Sequence, residues 1–299
     1  MDSDFGARPF DSILAPVDGS SAAEIGVRRS RALLTLPGTW LTLLHVGGDD
    51  ESRNRVERLA AETRDWGVKT AVTVADGAPA AQILREIETD RYDLVLMTSR
   101  RRAPLRRALP GAVALRVLRR SPAPLLLYRP LCGLQESFFA TERSEPARFR
   151  KILLMLDGSE EALRIVAPAL RLARAFSSEL ILFHAVEPRR FTGERMESIR
   201  AYLAERADAA AGLGVAARLQ IVVGKPVDEA LRILDGDADT IALTTRGRSS
   251  WRAAMLGSTT SEILGTAEGP VLCLASTPAL DLKEAARRLA LSAGHPAVH

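Results

Sequence analysis

The sequence predicts an α/β protein made of two copies of one doubly wound, parallel-sheet domain. Three observations carry this: the chain resembles itself at a spacing of about 140 residues; short apolar runs alternate with helix-forming stretches inside each copy; and 299 residues suit two ordinary globular domains.

The segment Ile13–Ser20 returns as Ile152–Ser159, an offset of 139, and Leu43–Val46 returns as Leu182–Ala185 at the same offset. Asp76–Pro79 aligns with Val223–Pro226 at 147, and Ser121–Leu127 with Ala267–Cys273 at 146. An essentially stable offset with one large jump implies duplication followed by a length change in one connecting helix. The period is far too long for a solenoid unit, so it marks whole domains.

Within the second copy, Ile152–Leu156, Leu180–Phe183, Leu219–Val223, Thr240–Leu243 and Val271–Leu274 are continuous apolar runs. Such runs belong to strands buried on both faces, as in parallel sheets covered by helices. The first helix is expected to start at Ser159, a capping residue followed by Glu160 and Glu161. The third follows Pro226, with Asp228 and Glu229 in its first turn. The boundaries read as 1–130 for the first domain, 131–148 for a linker and 149–277 for the second domain. The remainder, 278–299, carries an amphipathic terminal helix over Leu280–Leu291.

Composition excludes several classes. With 46% hydrophobic and 26% charged residues the chain has no bias towards disorder. Asp2 and Asp4 near the start argue against a signal peptide, and no apolar run is long enough to span a bilayer, so a cytoplasmic protein is expected. Cys132 and Cys273 lie far apart, outside any metal-ligand spacing. The net charge of +4 says little about polyanions, although Arg100, Arg101, Arg102, Arg106, Arg107, Arg116, Arg119 and Arg120 crowd one segment. Without interleaved aromatics or a DNA-binding motif, a solvated helix face accounts for that cluster better than nucleic acid does.

The chemistry concentrates after the fourth strand of the second copy, in Thr244–Thr260. Glycines let a backbone approach an anion closely, and amides at a helix start together with small hydroxyls hydrogen-bond phosphate oxygens. Gly257, Ser258, Thr259 and Thr260 have that character, and the same residues would serve equally as a helix cap. No lysine-bearing P-loop is present, and Asp157-Gly158-Ser159 lacks the glycines of a dinucleotide fingerprint.

Gly247, nine residues, then Gly257 and Ser258 resemble the signature of the universal stress protein family, with Thr244 where the family has a first glycine. The likeness extends through both copies: an Asp-Gly-Ser after strand one, a His ending strand two, a Gly-x-Pro before helix three and a Pro-led last strand. The resemblance implies the adenine nucleotide alpha hydrolase-like fold, with five strands per domain in the order 3-2-1-4-5. It also implies that Leu125–Tyr128 pairs with Val271–Leu274 to make an intramolecular pseudo-dimer, covering two sheet edges. By the same resemblance, ATP, with magnesium, would be bound in the second domain by Asp157, Ala185, Leu243, Thr244, Arg246, Gly247, Gly257, Ser258, Thr259 and Thr260.

In the first copy Arg101 replaces the second glycine and Ala112 replaces the hydroxyl after Gly111; with Asp18 these residues read as a degenerate, non-binding site. Asp18 is expected to form a turn and Asp157 to serve the ligand. His45 and His184 have no identifiable nucleophile partner and read as packing residues at strand ends. The expected function is that of a nucleotide-dependent stress regulator acting on unidentified protein partners, able to form a homodimer and at most a weak ATPase. A slow ATP hydrolase and a ligand-independent scaffold are the alternatives.

Overall fold

A computed structural model describes residues 10–89, 92–98, 111–129, 146–245 and 256–276. The first copy runs β1 (Ser12–Pro16), α1 (Ser21–Arg29), α2 (Arg31–Leu34), β2 (Trp40–Val46), α3 (Asp50–Asp65), β3 (Lys69–Ala75), α4 (Pro79–Thr89), β4 (Leu94–Thr98), α5 (Ala112–Arg120) and β5 (Leu125–Tyr128). The second runs β6 (Lys151–Met155), α6 (Glu160–Leu163), α7 (Val166–Phe176), β7 (Glu179–Val186), a 3-10 turn (Pro188–Arg190), α8 (Gly193–Gly212), β8 (Ala217–Val223), α9 (Pro226–Gly236), β9 (Thr240–Thr244), α10 (Ser258–Thr266) and β10 (Val271–Leu274).

All ten strands form one sheet in the order β3-β2-β1-β4-β5-β10-β9-β6-β7-β8. Each half follows the expected 3-2-1-4-5 order, and pairing is parallel within each half. The seam is antiparallel, with Leu127 opposite Val271, Leu126 opposite Leu272 and Leu125 opposite Cys273. Every residue of β5, β9 and β10 is buried, which explains why these strands read as unbroken apolar runs. The unpaired edges of β3 and β8 are only partly covered.

Two hydrophobic clusters cover the two faces, and each is continuous across the seam. One gathers residues of α1, α2 and α3 with those of α6, α7 and α8. The other gathers α4 and α5 with α9 and α10. Corresponding helices therefore share a face, so the two copies are related by a two-fold axis perpendicular to the sheet. The carboxyl ends of their strands point to opposite ends of the molecule. Arg171 of α7 adds a polar tie between copies, lying 3.3 Å from Asp93 and 5.0 Å over the Phe10 ring.

The offset jump has its cause in the crossover after strand two: α8 has 20 residues against 16 in α3, and a 3-10 turn precedes it. The first helix of each copy departs from the simple reading, because it is broken into α1 and α2 and again into α6 and α7. In the first copy the break falls at Ser30, whose Oγ lies 2.8 Å from the Gly26 carbonyl and 3.0 Å from the Tyr128 hydroxyl. A hydroxyl that bonds back to the preceding turn bends a helix. Most of the expected linker, and the expected helix Leu280–Leu291, lie outside the described residues.

Burial pushes the Tyr128 phenol up to about 12. A folded-state value raised above the ordinary one of about 10 gives stability that is complete below pH 10 and is lost as pH rises through 12. Tyr128→Phe should cost about 0.5–1.5 kcal/mol at neutral pH through the lost Ser30 contact. It should also flatten the fall in stability between pH 10 and 12, measured by urea unfolding across that range.

Candidate functional site

The site is built from the turn after the first strand of the second copy. Gly158 holds φ at +80° there, and Gly19 at +73° in the first copy, a left-handed conformation that side-chain-bearing residues rarely adopt. A Cβ on Gly19 would also meet the backbone of Ser52 at 2.8 Å. Asp157 Oδ1 accepts from the Ser159 amide at 3.0 Å and its hydroxyl at 2.6 Å, and Ser159 Oγ accepts from the Ala162 amide, capping α6. Asp18, Ser20 and Ala23 repeat the arrangement at the start of α1. Both aspartates therefore hold turns: identical local sequence imposes identical bonding.

At the carboxyl ends of β6 and β9, where the strand order reverses, a cleft of about 120 Å³ opens. Asp157, Ala185, Leu243 and Thr244 line one part of it; Gly257, Ser258, Thr259 and Thr260 line another. Arg246 and Gly247 lie outside the described residues. Sequence reasoning did not single out Met155, Leu156, Ala162 and Phe183 as cleft residues, and Pro226 only as a helix start, yet they complete the wall. The signal available was position: Met155 and Leu156 lie at and just past the end of β6, Ala162 and Pro226 in the first turn of a helix, and Phe183 in the second half of β7.

Thr244 ends β9 in extended backbone, and among the described residues Ser177 alone of the non-glycines has positive φ. A threonine therefore occupies the family's glycine position without the strain that positive φ would bring. The Thr244 carbonyl accepts from Thr260 Oγ1 at 3.0 Å, and the Thr245 carbonyl from the Gly257 amide at 2.9 Å, so the start of α10 is clasped to the end of β9.

The first turn of α10 is suited to an anion. Its N-cap is Gly257, no side chain caps it, and its first turn has no acidic residue. The contrast with α6 is direct, since that helix is capped by Ser159 and carries Glu160 and Glu161. Free amides and the positive end of the helix dipole favour negative charge.

The first copy has a cleft at the same place. Every residue lining the second-copy cleft has its counterpart lining this one, with Ile83 in addition. Asp18 and Gly111 lie in its wall, while Ala112, Val113 and Ala114 stand where Ser258, Thr259 and Thr260 do. The cleft is larger, about 440 Å³. Arg101 lies outside the described residues.

His45 is buried, with Nδ1 2.9 Å from the Val17 carbonyl and Nε2 3.3 Å from Ser52 Oγ, which ties the end of β1 to α3. His184 is likewise buried at the matching position. Of the arginine cluster, Arg119 and Arg120 occupy the last turn of α5, where cations complement the helix dipole. Arg100 to Arg107 lie outside the described residues.

The sequence pattern of the Universal stress protein family matches twice, over residues 47–129 and 148–275. The chain belongs to the universal stress protein family. Among relatives, a universal stress protein of Thermus aquaticus is 34% identical over 133 residues, covering 42% of this chain and 97% of that one. One from Methanocaldococcus jannaschii is 24% identical over 154 residues, covering 40% and 95%. Each therefore spans about one copy of this tandem universal stress protein. A solved universal stress protein structure from Archaeoglobus fulgidus superposes with a TM-score of 0.67 at 20% identity, covering 89% of this chain and 99% of that one. A putative universal stress protein from Pseudomonas aeruginosa gives 0.68 at 21%, covering 89% and 93%. These two likenesses establish the shared fold.

The mirrored caps make a local test. Ser159→Ala and Ser20→Ala should each lower the unfolding free energy by about 1 kcal/mol, since each removes the oxygen that caps a helix start. Urea titration of the two variants should give similar losses.

Proposed function

We propose that this universal stress protein binds an adenine nucleotide, ATP in the first instance, in the second-copy cleft. The base and ribose would sit among Asp157, Ala185 and Leu243, with the phosphates at the mouth over the first turn of α10. The observation that carries this reading is the uncapped, acid-free start of α10, which opens into a cleft at the strand-order reversal and brings Ser258 and Thr259 with it. The enclosed part of the cleft is small, which suits a base there and phosphates outside. Arg246 and Gly247 belong to the proposed site by their place in the family signature, and magnesium would arrive on the phosphates.

Nucleotide binding would shift the population of a surface conformation read by protein partners, making the protein a stress-response regulator. Among the described residues lining the cleft Asp157 is the one carboxylate, and its Oδ1 is engaged by Ser159. That arrangement favours binding over hydrolysis. No helix among the described residues is long and apolar enough to cross a membrane, and we place the protein's work in the cytoplasm.

Isothermal titration with ATP and magnesium tests the proposal. Wild type should bind, and Ser258→Ala combined with Thr259→Ala should weaken binding by about tenfold or more, as two hydrogen bonds to a charged ligand are lost. Absence of binding to wild type, or full affinity in the double variant, would overturn it.

A further inference from the structure

We propose that the first-copy cleft is a binding site for an uncharged, largely apolar small molecule, different in chemistry from the anion proposed for the second. Its observational basis is separate from that of the nucleotide site. At about 440 Å³ the cleft falls within the range of about 300–1,000 Å³ in which proteins hold small molecules. Most side chains that line it are apolar, among them Val17, Leu44, Val46, Ile83, Met97 and Val113, with polar backbone and the Asp18 carboxylate beside them. Walls of this kind, with few polar groups, are the common form of a small-molecule pocket.

The comparison between the copies indicates what the cleft no longer accommodates. Every counterpart position is present, so the cleft has kept its architecture, but its phosphate-facing hydroxyls have been replaced by the alkyl groups of Ala112, Val113 and Ala114. The start of α5 keeps its unpaired amides under Gly111 without a side-chain cap. The side chains of that turn are alkyl, so a phosphate placed there would find no hydroxyl to replace the water it gives up.

Ala114 also lacks the hydroxyl with which Thr260 clasps α10 to the Thr244 carbonyl. Leu44 replaces the bulkier Phe183. Both changes go in the direction of a wider cavity. The Asp18 carboxylate remains in the wall for orientation, whereas Thr98 Oγ1 is buried against Gly26 of α1. An uncharged ligand with a hydrogen-bonding group at one end meets both demands.

The test uses the full chain and the neutral fluorophore N-phenyl-1-naphthylamine. Wild type should show saturable enhancement at one probe per chain, and saturating ATP should leave it unchanged. Val113→Glu puts a carboxylate in the wall at a first-turn position where the helix dipole tolerates it, so the fold should survive. Val46→Trp fills the cavity instead. Each should weaken probe binding by about tenfold or more, because the first buries a charge against the ligand and the second takes its volume. Non-saturable enhancement, unchanged affinity in either variant, or displacement by ATP would overturn the proposal.

Discussion

The antiparallel pairing of β5 with β10 is the constraint on which the rest of the molecule depends. Without it each copy would end in an exposed strand whose apolar residues, Leu125 to Leu127 and Val271 to Cys273, face a missing neighbour. With it, ten strands form one sheet and the helices of both copies pack into two shared layers. The pairing also fixes function in space. Because the strands of the two copies run in opposite senses, their switch-point clefts open at opposite ends of the sheet, each with its own helix start and its own chemistry.

Duplication lets one cleft change while the other keeps its character. The turns that frame them are the same in both copies: Asp18 and Asp157, Ser20 and Ser159, Gly19 and Gly158 keep the same bonds and the same backbone. The difference lies in the first turn of one helix per copy, where three hydroxyl residues face three alkyl ones. A clasp present at Thr260 and absent at Ala114 separates a narrow cleft from a wide one.

Much of this was legible in the sequence because it rests on local rules. Continuous apolar runs marked the strands, fully buried at the centre of the sheet but only partly covered at the β8 edge, Ser159 gave the helix start it caps, and the jump in offset pointed to the crossover where α8 outgrows α3. The seam was legible through family resemblance, since apolar edge strands alone do not name their partner. What escaped depends on contacts distant in sequence. The break at Ser30 comes with a hydroxyl from Tyr128, 98 residues away. The size of the first-copy cleft depends on side chains brought together from several elements, with Ala114 and Leu44 standing where Thr260 and Phe183 do. Reading that site as degenerate rested on the lost glycine and hydroxyl, but loss of a phosphate motif does not fill a cavity. That Thr244 closes a strand in ordinary extended backbone at the family's glycine position is likewise a matter of backbone conformation, which residue type alone does not fix.

Amide hydrogen exchange with and without ATP tests the central claim, that two clefts of one architecture differ in what they hold. The account predicts that ATP slows exchange in the first turn of α10, at Ser258 to Thr260, and leaves the first turn of α5, at Ala112 to Ala114, unchanged. Equal protection of both turns, or protection of α5 alone, would contradict it.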